Sequence, residues 1–362
     1  MKGALLSLAA VLLCVTNLSK AASSDMQSIK RIVVNEAELP FIDLPGYQKA
    51  DISGPVVPWN KLKTYDQSEI INVVFVSDRK YLEPTHTAII SIFKNSKYIE
   101  RNEPIRFTIV FDEAEFNGTL DNDMSRFLNA FFLTFDRDIY KYDIEYIPVP
   151  KEERECMLRF DTYSWTKNVS LRLFLSRFIQ HNKCIYLDGD IACVGDIRKM
   201  WNLNLKDKCF GAAGYRSTAN VKDHINGGSL LLNLEYMRKV KFGNEIEKIL
   251  EDGKNVRKSG RFTDEHALDK YSVLYPNRRL MLPYEFNVGV MTIPKQFSGQ
   301  PTNTLEVTII HYYGGSKPWK HWSKVSNCVD HSSWRQSDWA LNEWGECYQQ
   351  LLMVEDLSGN TD

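Results

Sequence analysis

The sequence has no excess of basic residues. Its 362 residues include 45 Lys and Arg against 46 Asp and Glu, which gives a formal net charge of −1. Proteins that bind along a nucleic-acid backbone usually carry a clear basic surplus or stripe. The composition therefore predicts no nucleic-acid partner, and any anionic ligand must bind at a dedicated local site.

The chain also has no apolar run long enough to span a membrane. The run from Ala4 to Val15 follows Lys2 and is succeeded by Asn17 and Lys20, whereas a spanning helix needs roughly 20 apolar residues. A basic start, a short apolar segment and small residues after it are typical of a signal peptide, which we place at residues 1–22. We expect a protein of the secretory pathway, in the lumen of the ER or Golgi or secreted, with no transmembrane span in the mature chain. An uncleaved anchor in the Golgi membrane is the alternative.

Cysteine is scarce, and none of its spacings suits a zinc site. One of the seven cysteines lies in the signal segment, and the other six allow several pairings. The secretory route permits disulfides, and we favour a bridge between Cys328 and Cys347. Cys184 is either a bridge or a buried thiol. Two glycosylation sequons, at Asn117 and Asn168, are compatible with this route if they reach the surface.

No internal repeat, low-complexity tract or strong linker divides the chain. With 43% apolar and 25% charged residues, it has the profile of an ordinary globular protein with one large core. Residues 23–68 carry scattered Pro and Gly and are interpreted as a lead-in or stem segment. We expect one domain over 69–325, followed by a C-terminal extension over 326–362.

Strands and helices alternate within that domain. Runs of β-branched and apolar residues predict strands at 71–76, 105–111, 143–147 and 184–187. Helical spacing of apolar residues predicts helices at 85–93, near 123–135 and at 171–179. This alternation indicates an α/β fold with a mostly parallel sheet. Ligands bind outside the carboxyl ends of such strands, where Asp78, Asp112 and Asp188 follow.

The triplet Asp188-Gly189-Asp190 directly follows the fourth predicted strand. In extended backbone, residues two apart point the same way, so both carboxylates can converge on one cation. Gly189 lets a ligand approach the backbone closely. A capped turn after a strand is the alternative, because Asp-x-Asp triplets are common and this chain has others.

A second segment joins a histidine, two glycines and a lysine. A strand pattern over 307–310 ends at His311, and Gly314, Gly315 and Lys317 come shortly after it. An imidazole can serve as a third metal ligand, and this donor set favours Mn²⁺ over Mg²⁺, although Mg²⁺ is possible. Glycine amides followed by a lysine suit a diphosphate group.

Together the two segments resemble glycosyltransferase family 8, which includes glycogenin and bacterial lipopolysaccharide glucosyl- and galactosyltransferases. The resemblance covers about residues 70–325. It implies a GT-A (Rossmann-like) catalytic domain, a retaining mechanism, a UDP-sugar donor and Mn²⁺ held by Asp188, Asp190 and His311. UDP-glucose and UDP-galactose are the favoured donors, and the acceptor is expected to be a glycan or glycoprotein.

The resemblance also assigns residues to the two parts of the donor. The positions implied for UDP binding are Val76, Ser77, Asp78, Tyr81, Gly189, Gly314 and Lys317, with Tyr81 stacked on the uracil. The positions implied for the donor sugar are Arg172, Asn226, Gly227, Asp264 and Glu265. Taken singly, each position has an ordinary structural interpretation, such as packing or a surface charge.

Glu265 is the main departure from the family pattern. The segment Asp264-Glu265-His266 stands where the family commonly has Asp-Gln-Asp or Asp-Gln-Gly. We expect Asp264 and Glu265 to be catalytic, with Glu265 either stabilising an oxocarbenium-like transition state or attacking as a nucleophile. A different donor or acceptor, or a capped helix start with surface acids, would also explain the change.

Two other functions stay open at this point. The chain could be a lumenal nucleotide-sugar-binding protein without transferase activity, or a secreted metal-dependent hydrolase of nucleotide sugars. Transfer to an acceptor distinguishes a transferase from the hydrolase. The sequence does not choose between same-face attack and double displacement, although the resemblance favours same-face attack.

Overall fold

Within the residues that the computed structural model of the protein describes, ten strands form two sheets. The structure describes residues 65–95, 103–115, 127, 131, 141–160, 168–214, 224–256, 262–290, 307–314, 317–319, 344–345 and 347–348. The strands are β1 (Ile71–Ser77), β2 (Ile105–Phe111), β3 (Tyr142–Pro148), β4 (Cys184–Leu187), β5 (Ile191–Cys193), β6 (Phe210–Gly214), β7 (Ile225–Leu232), β8 (Arg279–Met281), β9 (Val288–Gly289) and β10 (Ile309–His311).

The larger sheet has the strand order β3-β2-β1-β4-β7-β6-β8. Strands β3, β2, β1 and β4 run parallel, and β7 is antiparallel to both β4 and β6. Strand β8 is parallel to β6. The predicted α/β fold with a mostly parallel sheet is therefore confirmed, and its first four strands begin and end within one residue of the predicted bounds.

Alternate residues of β1 pack into two different cores. Val73 and Phe75 belong to the cluster on one face, and Val74 belongs to the cluster on the other. All three side chains are fully buried. A strand buried on both faces needs a nearly continuous apolar sequence, which explains why β1 shows no polar alternation.

Helices cover the sheet on both sides. They are α1 (Leu82–Asn95), α2 (Lys151–Arg159), α3 (Leu175–Phe178), α4 (Arg198–Trp201), α5 (Leu234–Lys239), α6 (Phe242–Val256) and α7 (Asp264–Leu274). Short 3₁₀ turns occur at Glu113–Glu115, Val169–Leu173, Pro276–Arg278 and Tyr284–Phe286.

The predicted helix at 171–179 is divided into two pieces. A 3₁₀ turn, Val169–Leu173, precedes the short helix α3, and Phe174 lies between them with φ −111° and ψ 0°. The Arg172 guanidinium donates a hydrogen bond to the Val169 carbonyl at 3.0 Å. That side-chain bond satisfies a carbonyl at the start of the turn and turns Arg172 back towards the sheet.

The smaller sheet, of order β5-β10-β9, lies at the end of β4. Strand β10 is antiparallel to β5 and parallel to β9. Only one residue, Asp190, separates β5 from the Asp188-Gly189 turn, so β10 brings His311 opposite Ile191, next to that turn. Residues 192, 290, 310, 312 and 344 form a small apolar core behind β10.

Several predictions fall outside the described residues. These are the signal peptide, the lead-in segment over 23–64, most of the helix near 123–135, the Asn117 sequon and Cys328. No helix of the described part is long and apolar enough to cross a membrane. Cys184 is a buried free thiol. Asn168 is also buried, so its sequon cannot accept a glycan in the folded chain.

Candidate active site

The turn between β4 and β5 carries the two aspartates of the Asp-x-Asp triplet. The Asp188 amide donates to the Gly228 carbonyl at 2.9 Å, which fixes the turn against β7. A Cβ on Gly189 would lie 2.5 Å from Thr85 Oγ1. Because the first turn of α1 passes this close, residue 189 must be glycine for the two carboxylates to keep their positions.

Asp188, Asp190 and His311 converge as the sequence predicted. One ligand atom from each lies within 4.8 Å of the others. His311 Nε2 is 3.3 Å from Asp190 Oδ1 and 3.8 Å from Asp188 Oδ2. Asp190 and His311 are buried, and Asp188 is half-buried.

The orientation of the His311 ring is set by an amide. His311 Nδ1 lies 3.0 Å from Asn287 Oδ1, and the Asn287 amide nitrogen donates to Asn226 Oδ1 at 2.8 Å. Since an amide oxygen only accepts, the proton is on Nδ1 and the Nε2 lone pair faces the carboxylates. A Cβ on Gly228 would lie 2.1 Å from His311 Cε1, so residue 228 leaves room for this ring.

These residues fit a divalent cation. Two carboxylates and one imidazole with its lone pair directed at them are a donor set used for Mn²⁺ and related metals. Asn287 adds the outer hydrogen bond that metal-binding histidines usually make. The chain therefore supplies both the ligands and the group that orients one of them.

Cationic side chains contact both aspartates. Lys317 Nζ contacts Asp190 and donates to the Tyr312 carbonyl at 3.0 Å. Burial alone raises the pKa of Asp190, but His311 and Lys317 together hold that pKa well below its usual range. Asp190 therefore keeps its negative charge although it is buried.

Asp188 has a different set of partners. Its Oδ1 accepts from the Arg172 guanidinium at 2.9 Å and from the Tyr186 hydroxyl at 2.5 Å. Tyr186 precedes Asp188 by two residues, so these two side chains lie on the same side of the chain. Arg172 also reaches Asp264, with its Nε 2.8 Å from Asp264 Oδ2.

Asp264 and Glu265 enter the site on the first turn of α7. Thr263 and His266 form a capping box: Thr263 Oγ1 accepts from the His266 amide, and His266 Nδ1 accepts from the Thr263 amide. The helix therefore begins at Asp264, where its dipole favours negative side chains. Glu265 Oε1 accepts the Gly227 amide at 3.0 Å.

The pKa values of these two acids are raised. Burial is the main cause for Asp264, and Arg172 offsets it only in part. Burial also raises the pKa of Glu265, and the neighbouring Asp264 carboxylate adds to the effect. The first turn of α7 thus presents acids whose charge is poorly compensated.

Aromatic rings border the opposite side of the cavity. The Tyr81 ring packs edge-on against Trp319, with ring centroids 5.4 Å apart. Lys317 Nζ lies 5.7 Å from the centre of the Tyr81 ring. Gly314 has φ +87°, a left-handed conformation that favours glycine, and a substitution there would strain the turn that leads from β10 to Lys317.

Most of the predicted site residues line one cavity of about 280 Å³. They are Val76, Asp78, Tyr81, Arg172, Asp188, Gly189, Asp190, Asn226, Asp264, Glu265, His311, Gly314 and Lys317. Ser77 is not among them, because its hydroxyl is buried and bonded to the Asp78 carbonyl. Gly227 is not a lining residue either, but its amide donates a hydrogen bond to Glu265. Asp112 pairs with Arg154 and also lies outside the cavity.

Sequence reasoning missed other residues of the cavity wall. These are Asn168, Val169, Tyr186, Thr263 and Tyr313. Strand alternation places Tyr186 on the same side of the chain as Asp188, so it could have been predicted. Thr263 could have been predicted as a helix N-cap, because threonine is favoured at that position. Asn287 had no such signal, because its contact with His311 joins residues 24 apart in the chain.

The site and the sheet can now be compared with known proteins. Residues 72–323 match the model of glycosyl transferase family 8. The chain belongs to this family. This family 8 glycosyltransferase is 24% identical over 340 residues to a lipopolysaccharide 1,2-glucosyltransferase of Escherichia coli K12. The match covers 83% of this chain and 93% of the relative.

Other family 8 relatives come from plants and further bacteria. The chain is 21% identical to a probable galacturonosyltransferase-like protein of Arabidopsis thaliana, over 74% of this chain and 76% of that one. Among solved structures, galactosyltransferase LgtC in complex with donor and acceptor sugar analogues superposes with a TM-score of 0.51 at 19% identity, over 74% of this chain and all of LgtC. This likeness identifies the GT-A fold of the family 8 domain.

Proposed function

We propose that this glycosyltransferase is a retaining, Mn²⁺-dependent enzyme that transfers a hexose from a UDP-sugar to a hydroxyl of a glycan or glycoprotein. One observation carries the proposal: three residues whose ligand atoms converge as a divalent cation requires, together with a lysine, line the same cavity as two poorly compensated acids. A donor whose bond breaks between a diphosphate and a sugar needs this distribution of charge.

Asp188, Asp190 and His311 would hold the cation. Bound there, Mn²⁺ would supply Lewis-acid stabilisation of the negative charge that develops on the leaving diphosphate. The low pKa of Asp190 keeps one ligand ionised, and Asn287 keeps the His311 lone pair directed at the site.

Lys317 and the turn at Gly314 would bind the diphosphate. Lys317 is buried, and its ammonium group already lies beside Asp190, so a phosphate oxygen near the metal ligands would gain a fixed positive partner. Tyr81 and Val76 line the same cavity. We assign the uracil to the Tyr81 ring, whose outer position beside Trp319 leaves an aromatic surface for stacking.

The sugar would lie between the metal ligands and the start of α7. Positive charge develops on the sugar ring as the bond to the leaving group breaks, and Glu265 with Asp264 would stabilise it electrostatically. Arg172 bridges Asp188 and Asp264, so it ties the position of the sugar-side acid to that of the metal ligand. We favour same-face attack, in which the leaving phosphate accepts the proton of the acceptor hydroxyl.

We further propose that the donor is UDP-glucose or UDP-galactose and that the enzyme works in the ER or Golgi lumen or is secreted. The donor assignment is supported by relatives described as glucosyl- and galactosyltransferases. The location rests on the basic and apolar pattern of residues 1–22.

A donor panel tests the proposal. Purified protein is incubated with Mn²⁺ and UDP-glucose, UDP-galactose, UDP-xylose or UDP-glucuronic acid, and UDP release is measured with and without EDTA. We expect release from one donor, abolished by EDTA and reduced at least about 10³-fold in Asp190→Asn. The matched control is Asp112→Asn, another buried aspartate at a strand end, which should retain release if its melting curve shows a folded protein.

The pattern of results also separates the other functions. No release from any donor, together with normal binding of Mn²⁺ and UDP, would contradict the proposal and favour a nucleotide-sugar-binding protein. Release that is not accompanied by transfer to any added glycan or glycoprotein would favour a hydrolase.

A further inference from the structure

A histidine–aspartate pair lies directly behind Glu265. His224 precedes β7, and Asp269 stands one turn after Glu265 on α7. His224 Nδ1 contacts Asp269 Oδ2, and the other Asp269 oxygen accepts the Ile225 amide at 3.0 Å. Neither His224 nor Asp269 lines the cavity, and neither has a role in the function proposed above.

The pair points the imidazole at Glu265. An ionised aspartate only accepts hydrogen bonds, so the contact with Asp269 requires the proton on His224 Nδ1. His224 Nε2 then faces outward, 3.9 Å from Glu265 Oε2. Glu265 Oε1 meanwhile accepts the Gly227 amide. Both oxygens of Glu265 therefore lie next to the same short segment, residues 224–227: one accepts a hydrogen bond from it, and the other is within ion-pair distance of His224.

The other charges around Glu265 do not replace this contact. Asp264, next to it on α7, repels a second negative charge and raises the pKa of Glu265 further after burial has raised it. Arg172 opposes this, but its guanidinium is shared between Asp188 and Asp264. His266 lies close to His224, with ring centroids 5.4 Å apart, and is engaged in the capping box with Thr263.

We propose that the Asp269–His224 pair is a positioning device that keeps the Glu265 carboxylate ionised and fixed towards the donor sugar, and so sets the lower pH limit of donor cleavage. Asp269 holds the ring in place, and the positive charge that His224 carries when it is protonated lowers the pKa of Glu265. The effect on turnover rests on the proposed function, whereas the effect on His224 itself does not.

The pH profile of UDP release tests the effect on turnover. In His224→Gln the cation beside Glu265 is lost, so Glu265 takes up a proton at higher pH. We expect the acid limb of kcat/KM to move upward by about half a unit to one unit, and Asp269→Asn to move it in the same direction. His266→Gln is the matched control: a glutamine at this position preserves a capping box, and the limb should stay where it is in the unchanged protein.

A double variant separates positioning from simple damage. In a Glu265→Gln background, adding His224→Gln should leave the shape of the pH profile unchanged, because the group that His224 acts on no longer titrates. A limb that stays in place in His224→Gln, or that moves equally in the Glu265→Gln background, would overturn the proposal.

Spectroscopy tests the pair without any turnover. In protein with ¹⁵N-labelled histidine, the His224 resonances are assigned by their loss in His224→Gln. We expect the proton on Nδ1, a shift of the Nε2 resonance in Glu265→Gln and a shift of the Nδ1 resonance in Asp269→Asn. If Glu265→Gln leaves Nε2 unchanged, the proposal fails whatever the donor assays show. If UDP release is absent while these shifts occur, the pair stands and the proposed function fails.

Discussion

The cavity is lined by two groups of carboxyls in opposite electrostatic states, which we call the metal side (Asp190) and the sugar side (Asp264 and Glu265). On the metal side, the pKa of Asp190 lies well below its usual range, although burial raises it. On the sugar side, burial raises the pKa values of Asp264 and Glu265, and that rise persists. The difference comes from the neighbours: Asp190 lies between His311 and Lys317, whereas Asp264 and Glu265 are adjacent acids that draw on one shared arginine. Burial alone therefore does not decide the state of a carboxyl group; the hydrogen bonds and charges around it contribute as well.

This contrast assigns different tasks to similar groups. The compensated acid on the metal side can hold a cation without changing its own charge state. Under the proposed function, the poorly compensated acids on the sugar side would supply negative potential to a positive charge that develops during the reaction.

The largest effect is expected on turnover when the charge of Glu265 is removed. Glu265→Gln keeps the size of the side chain and an acceptor for the Gly227 amide, so the geometry is retained. We expect UDP release to fall about 10²- to 10³-fold, the usual cost of removing one preorganised electrostatic group. The measurement is kcat at saturating donor and Mn²⁺. An unchanged kcat would show that the sugar side does not use its charge.

A smaller effect is expected on metal affinity when the orienting amide is removed. Asn287→Ala deletes the partner of His311 Nδ1 and frees the ring to rotate. We expect Mn²⁺ binding, measured by calorimetry or by the paramagnetic signal of free Mn²⁺, to weaken about 10- to 100-fold. Glu265→Gln is the comparison variant and should bind Mn²⁺ normally. If both variants lose affinity equally, the two sides are not independent.

The smallest effect is expected on stability, and its sign is opposite to that of most substitutions. A carboxyl group whose pKa is raised on folding destabilises the folded state above that pKa, and the penalty disappears as the pH falls through it. Glu265→Gln should therefore raise the free energy of unfolding by about 0.5–2 kcal/mol at pH 8. The gain should shrink on acidification. Chemical denaturation across a pH series measures it, and a gain that grows towards acid pH would contradict the assignment.

Asp264→Asn provides the contrast for the stability measurement. The pKa of Asp264 is also raised, but this side chain is paired with the buried Arg172 at 2.8 Å. By the same sign rule, Asp264→Asn should also raise the free energy of unfolding at pH 8, but by less than Glu265→Gln does, because Arg172 offsets part of the burial penalty of Asp264. A loss of stability in Asp264→Asn would show that the pairing with Arg172 outweighs that penalty.

The sequence was sufficient for the parts of the site that follow strands. Asp188, Asp190 and His311 could be predicted because each comes at or just after the end of an apolar run, and the edge of the sheet brings such positions together. Ser77 was assigned to the site by the family resemblance but lies inside the junction with α1, where Thr85 Oγ1 approaches its hydroxyl at 3.3 Å. The end of a strand thus predicts that a residue lies at the edge of the sheet. It does not predict whether the side chain of that residue faces the cavity.

The parts that support the site could not be predicted. Asn287 reaches His311 and His224 reaches Asp269 only through the pairing of elements that are far apart in the sequence. Neither residue belongs to a periodic pattern, and each is an ordinary loop residue when read locally. Their roles follow from which strand pairs with which, information that a single sequence carries only weakly.

The buried indole of Trp344 limits how far the C-terminal part of the protein can be truncated. Trp344 is fully buried and packs beside Ile310 and Tyr312, on the strand that carries His311. The family match ends at residue 323, so a truncated protein designed from that match would end there. A protein cut at that point would lack the ring that fills the space behind β10, and a large buried aromatic contributes about 3–5 kcal/mol. Expression boundaries chosen from the family match alone would remove a side chain that packs against the strand carrying His311.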